Sequence, residues 1–99
     1  MKTTVRQLRN KNGSDIPNQF IITEYNNGNK WTRKYFQSYK SIIAFKNNDG
    51  FTVLDKTYWD YSKTTGKYRN QFLNENIKET RKKIQTGEYK LWDLNNEYN

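Results

Sequence analysis

Gln19-Phe20-Ile21-Ile22-Thr23-Glu24-Tyr25-Asn26-Asn27-Gly28-Asn29-Lys30-Trp31-Thr32-Arg33-Lys34-Tyr35-Phe36-Gln37 is the stretch whose reading decides the fold. β-Branched and aromatic residues fill Gln19–Tyr25, which predicts a strand. Asn26-Asn27-Gly28-Asn29 follows, and Asn-Gly is a hairpin signal because both residues tolerate positive φ. The chain then returns through a second strand, Trp31–Gln37. Downstream the pattern repeats. Ser41–Lys46 is a strand built on Ile42, Ile43 and Phe45, Asn47-Asn48-Asp49-Gly50 turns it, and Phe51–Asp55 comes back. Upstream, Thr3–Arg9 reads as a short strand anchored by Val5 and Leu8. Asn12-Gly13-Ser14-Asp15-Ile16-Pro17-Asn18 holds the single proline and reads as a loop. Together these elements make an antiparallel meander.

Beyond residue 60 the period changes. Tyr68, Phe72, Leu73, Ile77 and Ile84 recur at helical spacing. Thr64 or Thr65 is the expected cap of a first helix over 66–74. Asn76 with Glu79 three residues on is a capping-box pattern that starts a second helix over 77–86. Gly87 is a natural stop. Tyr89–Leu94 alternates well enough for a last strand. The expected class is α+β: an antiparallel β-meander of four to six strands, a C-terminal pair of short helices packed on one face, and a final strand. At 99 residues, positions 1–99 are expected to form a single domain.

Composition narrows the function. Lysine and arginine number 18 against 10 acidic residues, a net charge of +8. That surplus favours nucleic acid or an acidic protein surface as partner. It is concentrated in residues 1–50, with nine basic and three acidic side chains, against nine and seven in residues 51–99. Neither cysteine nor histidine occurs, which removes disulfides, thiol nucleophiles, the usual zinc ligands and the usual general base near neutral pH. No carboxylate pair has a recognisable metal-binding or acid–base spacing. A binding protein without cofactor is therefore expected rather than an enzyme. With no apolar run of spanning length and no signal-like leader, a cytoplasmic protein without membrane contact is expected. An unpaired meander edge is compatible with a homodimer, so monomer and homodimer both stand.

Three groups of residues are candidates for contact. Period-2 alternation puts Trp31, Arg33, Tyr35, Gln37 and Tyr39 on one face of their strand, with Thr32, Lys34, Phe36 and Ser38 on the other. An aromatic and basic face suits single-stranded nucleic acid, since bases stack on rings and cations hold phosphates. The alternative turns Trp31, Tyr35 and Tyr39 into the core, on the ground that Phe36 alone is a thin anchor for the strand. Arg6, Arg9 and Lys11, continued by Lys30, Arg33, Lys34 and Lys40, form one basic patch if the first strand pairs near the central hairpin. Lys63, Thr64, Thr65, Lys67 and Arg69 surround an expected helix start, where backbone N–H groups can take an anion. Capping at a strand-to-helix corner accounts for the same residue types.

Tyr35-Phe36-Gln37-Ser38-Tyr39, Ile42-Ile43-Ala44, Tyr58 to Tyr68, Phe72-Leu73 and Gly87-Glu88-Tyr89 are similar to an uncharacterised family of small proteins from phages and mobile elements of low-GC Gram-positive bacteria. The resemblance covers most of residues 19–95, and Trp59-Asp60-Tyr61-Ser62-x-Thr64-Thr65 is its most specific part. It implies a phage or mobile-element setting and transfers no residue role. In that setting the expected function is nucleic-acid binding through a basic, aromatic sheet surface. The alternative is a protein inhibitor that binds a host enzyme or defence complex, of anti-CRISPR or anti-restriction type.

Overall fold

The computed structural model describes residues 2–96. In chain order it contains β1 (Lys2–Arg9), β2 (Asp15–Tyr25), β3 (Trp31–Ser38), β4 (Ser41–Asn47), β5 (Thr52–Asp55), α1 (Lys63–Leu73), α2 (Ile77–Gln85) and β6 (Tyr89–Trp92). The strands form one sheet in the order β1-β2-β3-β4-β5-β6. Every neighbouring pair is antiparallel except β5 and β6, which run parallel. A parallel pair needs a crossover connection, and α1 and α2 supply it. The class is α+β, with the helical pair on one sheet face and the last strand after it.

Three tight turns share one design. Asn10, Asn26 and Asn47 each accept backbone N–H bonds on Oδ1 from the residues two and four positions on. The fourth residue of each turn, Gly13, Asn29 or Gly50, has φ of 82°, 62° or 91°. The Asn side chain thus satisfies the turn's own amides, and the left-handed residue re-aligns the strands. The hairpin expected at Asn26–Asn29 forms, but its left-handed residue is Asn29, and neither Asn27 nor Gly28 takes the positive φ on which the Asn-Gly signal rests.

The expected loop over 12–18 is a correction. Only residues 10–14 turn, and β2 begins at Asp15, opposite Arg9. The register jumps between Gln7 and Arg9, so Ile16–Gln19 bulge opposite Leu8. Pro17 is tolerated there because a bulge does not require its missing N–H. α1 is also displaced from its expected 66–74. Its cap is Ser62, whose Oγ accepts from the Thr65 N–H at 3.1 Å, while Thr65 is fully buried with its hydroxyl 3.1 Å from that of Ser38. The capping box at Asn76 and Glu79 forms as read.

The core lies between the sheet and the helices: Leu8, Ile21, Phe36, Ile43, Ala44, Leu54, Phe72 and Tyr89. Phe36 stacks on Phe72 at 5.9 Å, so this one ring does anchor β3. At the other end of the sheet, buried Asp55 accepts from the N–H groups of Thr57, Tyr58 and Leu94. Asn95 pairs with both backbone polar groups of Ile42. The segment after β6 is thereby tied across the sheet.

Candidate nucleic-acid interface

The helices cover only part of their sheet face, and the register shows what is left bare. Successive cross-strand rows on this face are Arg6–Ile21–Phe36–Ala44, then Thr4–Thr23–Lys34–Lys46, then Lys2–Tyr25–Trp31. The first row dips under the end of α1, and the other two run out beyond it. Between the sheet and the last turn of α1 is a groove of about 340 Å³, lined by Arg6, Leu8, Arg9, Ile21, Lys34, Lys46, Gln71 and Phe72. Among the described residues no carboxylate lines it.

Lys34 and Lys46 are direct cross-strand partners, an arrangement of like charges that is unfavourable in a sheet. The Lys46 ammonium donates to the Phe72 carbonyl oxygen at 2.9 Å and lies 4.5 Å from the centre of the Phe72 ring. Burial, then the neighbouring Lys34 charge, pull its pKa below the ordinary lysine value. Lys34 rests over the Trp31 ring at 4.5 Å, and Lys2 over Tyr25 at 5.0 Å. Among the described residues, neither Lys34, Lys46 nor Arg6 has an ion-pair partner, whereas Arg9 pairs with Asp15 at 3.3 Å.

The groove therefore collects part of the expected patch and rejects the rest. Arg6, Arg9 and Lys34 come together, with Trp31 at the open end. Lys11 lies in the β1–β2 turn, beside a neighbouring hollow that Lys67 and Tyr68 also line. Lys30 sits exposed in the Asn26 turn. Arg33 and Tyr35 are on the opposite sheet face, where Arg33 is 3.6 Å from Glu24. Burial first, and then the Glu24 charge, raise the pKa of the Tyr35 phenol. Tyr39 and Lys40 form the β3–β4 turn at the other end of the strand, near Asn18 and Tyr61.

The expected single face of Trp31, Arg33, Tyr35, Gln37 and Tyr39 is corrected accordingly. The β2–β3 register slips between Glu24 and Tyr25, which moves Trp31 to the helix side. β3 ends at Ser38, leaving Tyr39 in a turn with φ of 56°.

The helix-start group is also dispersed. Lys63, Thr64 and Lys67 are exposed on α1, but Thr65 and Arg69 are interior. The Arg69 guanidinium donates to the Trp59 carbonyl at 2.7 Å, Asp60 at 3.3 Å and Asn70 at 2.9 Å. It also lies 5.3 Å from the Trp59 ring centre. Its two terminal nitrogens are engaged by the corner itself, Asp60 included, and the guanidinium is interior with its Nε unpartnered, so it is not open to an external anion.

Lys46, Lys2, Tyr25, Gln71 and Phe72 belong to the site and were not singled out from sequence. Lys46 had no local signal: its place opposite Lys34 depends on the register shift between Phe36 and Gln37, which counting from the β3–β4 turn misses. Gln71 and Phe72 reach the groove through the angle of α1 across the sheet, which no local pattern encodes.

A family model described as a family of unknown function, DUF8033, matches residues 3–88. No curated protein and no solved structure matches the chain.

Proposed function

The chain belongs to this DUF8033 family, and we propose that it binds nucleic acid through the groove, with phosphates held by Arg6, Lys34 and Lys46. The observation that carries the reading is the Lys34–Lys46 pair: two ammonium groups opposed across neighbouring strands, one of them partly buried, with no acid beside either. A fold bears such repulsion most readily where a ligand supplies the missing negative charge. Tyr25 and Trp31 at the open end offer π-faces for unpaired bases. The contacts are to phosphate, so affinity is expected with little sequence preference.

Fluorescence anisotropy with an oligothymidylate of about twelve nucleotides tests this, a length within the site sizes of small single-strand binders. Three phosphate contacts predict a log–log salt slope of about −2 for a single strand. Lys34→Gln should weaken binding and make the slope shallower by roughly 0.7. Lys78→Gln, on the exposed side of α2, should change the affinity far less. Absence of binding at low salt, or equal effects of the two substitutions, overturns the proposal.

A second reading, a protein partner, is favoured by the opposite sheet face. There Tyr35, Phe45, Phe51 and Trp92 form a chain of rings with successive centroids 5.2, 6.5 and 5.6 Å apart. Val5 (63% exposed) and Trp92 (49%) extend the apolar surface. Exposed aromatic anchors of this kind are the hot spots of protein contacts. Capture of a host protein from nuclease-treated lysate, lost in Trp92→Asp, would favour this reading over nucleic acid.

A further inference from the structure

The groove is closed at one end and open at the other. At the closed end, the Gln71 amide on α1 donates to the Arg9 carbonyl at 3.0 Å, bridging helix and edge strand. Beside it Phe72 packs on Phe36, and its carbonyl oxygen fixes the Lys46 ammonium. The turn from α1 to α2 continues this wall, since Glu75 is held by Lys83 and Tyr89 at 2.8 Å each. At the open end the sheet runs on uncovered through Thr4, Thr23, Lys2, Tyr25 and Trp31. A strand entering past Trp31 meets α1 and has no exit along the same line.

The cations line this groove together: Lys46 is fixed at the α1 wall by the Phe72 carbonyl, Arg6 lies in the row beneath α1, and Lys34 reaches from the next row to the Trp31 ring at the mouth. An internal phosphodiester carries one negative charge. A terminal phosphomonoester carries about −1.5 to −2 and three acceptor oxygens, which suits several donors converging on one point.

Resting on the nucleic-acid reading above, we infer that the groove receives the phosphorylated end of a single strand. The terminal phosphate sits among Arg6, Lys34 and Lys46, and the nucleotides that follow leave over Tyr25 and Trp31.

Four oligothymidylates of about twelve nucleotides decide the matter: one with a 5′-phosphate, one with a 3′-phosphate, one with hydroxyls at both ends, and one closed into a circle. One phosphorylated form should bind at least about tenfold more tightly than the hydroxyl-ended strand and the circle, the scale of one charge-assisted hydrogen bond. That advantage should vanish in Lys34→Gln. It should also fall in Lys46→Met, which keeps the apolar stem against Phe72 and guards against a folding defect. If all four bind equally with the salt slope intact, end recognition is wrong and general phosphate binding survives. If none binds in a salt-dependent way, both readings fall together.

Discussion

At the scale of single residues, the two kinds of cation in this chain have opposite uses. Lys34 lines a groove with no ion-pair partner among the described residues; Arg69 is 1% exposed and surrounded by acceptors. Desolvation lowers the pKa of Arg69, and the hydrogen bond and charge of Asp60 oppose that shift. The planar fork lets one side chain reach Trp59, Asp60 and Asn70 at once, which a lysine ammonium on a flexible stem does not. Arg69→Met should therefore cost about 3 kcal/mol in urea unfolding, and Arg69→Lys should recover little of it, because the carbonyl and amide acceptors stay unmet. Recovery of most of the stability by lysine would show that charge, not the fork, is what the corner needs. In sequence Arg69 looks like any helical arginine near a glycine, and nothing local reveals that Trp59 folds over it. The turns are more legible at Asn26 and Asn47 than at Asn10, which Pro17 obscures, although each of the three stands three residues before a Gly or Asn and that spacing carries the Asn-capped turn. The left-handed position was harder to assign in Asn26-Asn27-Gly28-Asn29, because Gly28 and Asn29 both accept it.

At the scale of elements, the tie between α2 and β6 is a small polar cluster around Glu75. Burial alone would raise its pKa, but hydrogen bonds from Lys83, Thr80 and Tyr89 outweigh that and hold the carboxyl below its ordinary range. A depressed folded-state pKa contributes stability that is complete above the unfolded value of about 4.3 and is lost as pH falls through the folded value. Tyr89 moves the other way. Burial, then Glu75, push its phenol up to about 12. Its contribution is complete below about 10, the unfolded value, and is lost as pH rises through the folded value. Glu75→Gln should lower stability at neutral pH and flatten the acid limb of a stability-against-pH curve. In an ultraviolet tyrosine titration it should also bring one phenol back toward the ordinary range. An unchanged acid limb would remove Glu75 from the account. Element existence was readable here because hydrophobic period and the Asn76–Glu79 box are local. The parallel pairing of β6 was not, since direction depends on the crossover length and on which sheet edge remains free. The first half of β2 is hidden in the sequence because Pro17 signals a break wherever it falls, and only the bulge opposite Leu8 makes room for it.

At the scale of the whole molecule, the sheet separates two surfaces of different character. The helix side carries bare cations beyond α1, and the other side carries Val5, Tyr35, Phe45, Phe51 and Trp92 with Arg33 balanced by Glu24. The surplus of +8 was legible from composition and its bias to residues 1–50 from counting, but its gathering depends on registers that no single strand specifies. Trp31 and Lys34 meet only because β3 slips against β2. Such a site should lower the stability of the free protein. Lys34 and Lys46 repel across the strands, and cross-strand charge pairs are worth roughly 0.2–1 kcal/mol. Lys34→Gln should therefore raise the melting temperature of the unliganded protein while weakening oligonucleotide binding, the usual trade at a binding site. On the proposed reading, oligonucleotide binds the folded chain alone, so adding it should stabilise the natural protein in proportion to the logarithm of ligand over Kd. The same concentration should stabilise Lys34→Gln much less. The two melting curves are thus expected to lie in one order without ligand and to converge or cross with it. A substitution that lowers stability without ligand, or leaves the ligand-induced shift intact, would mean that the lysine pair is a solvated surface feature and that phosphate is held elsewhere.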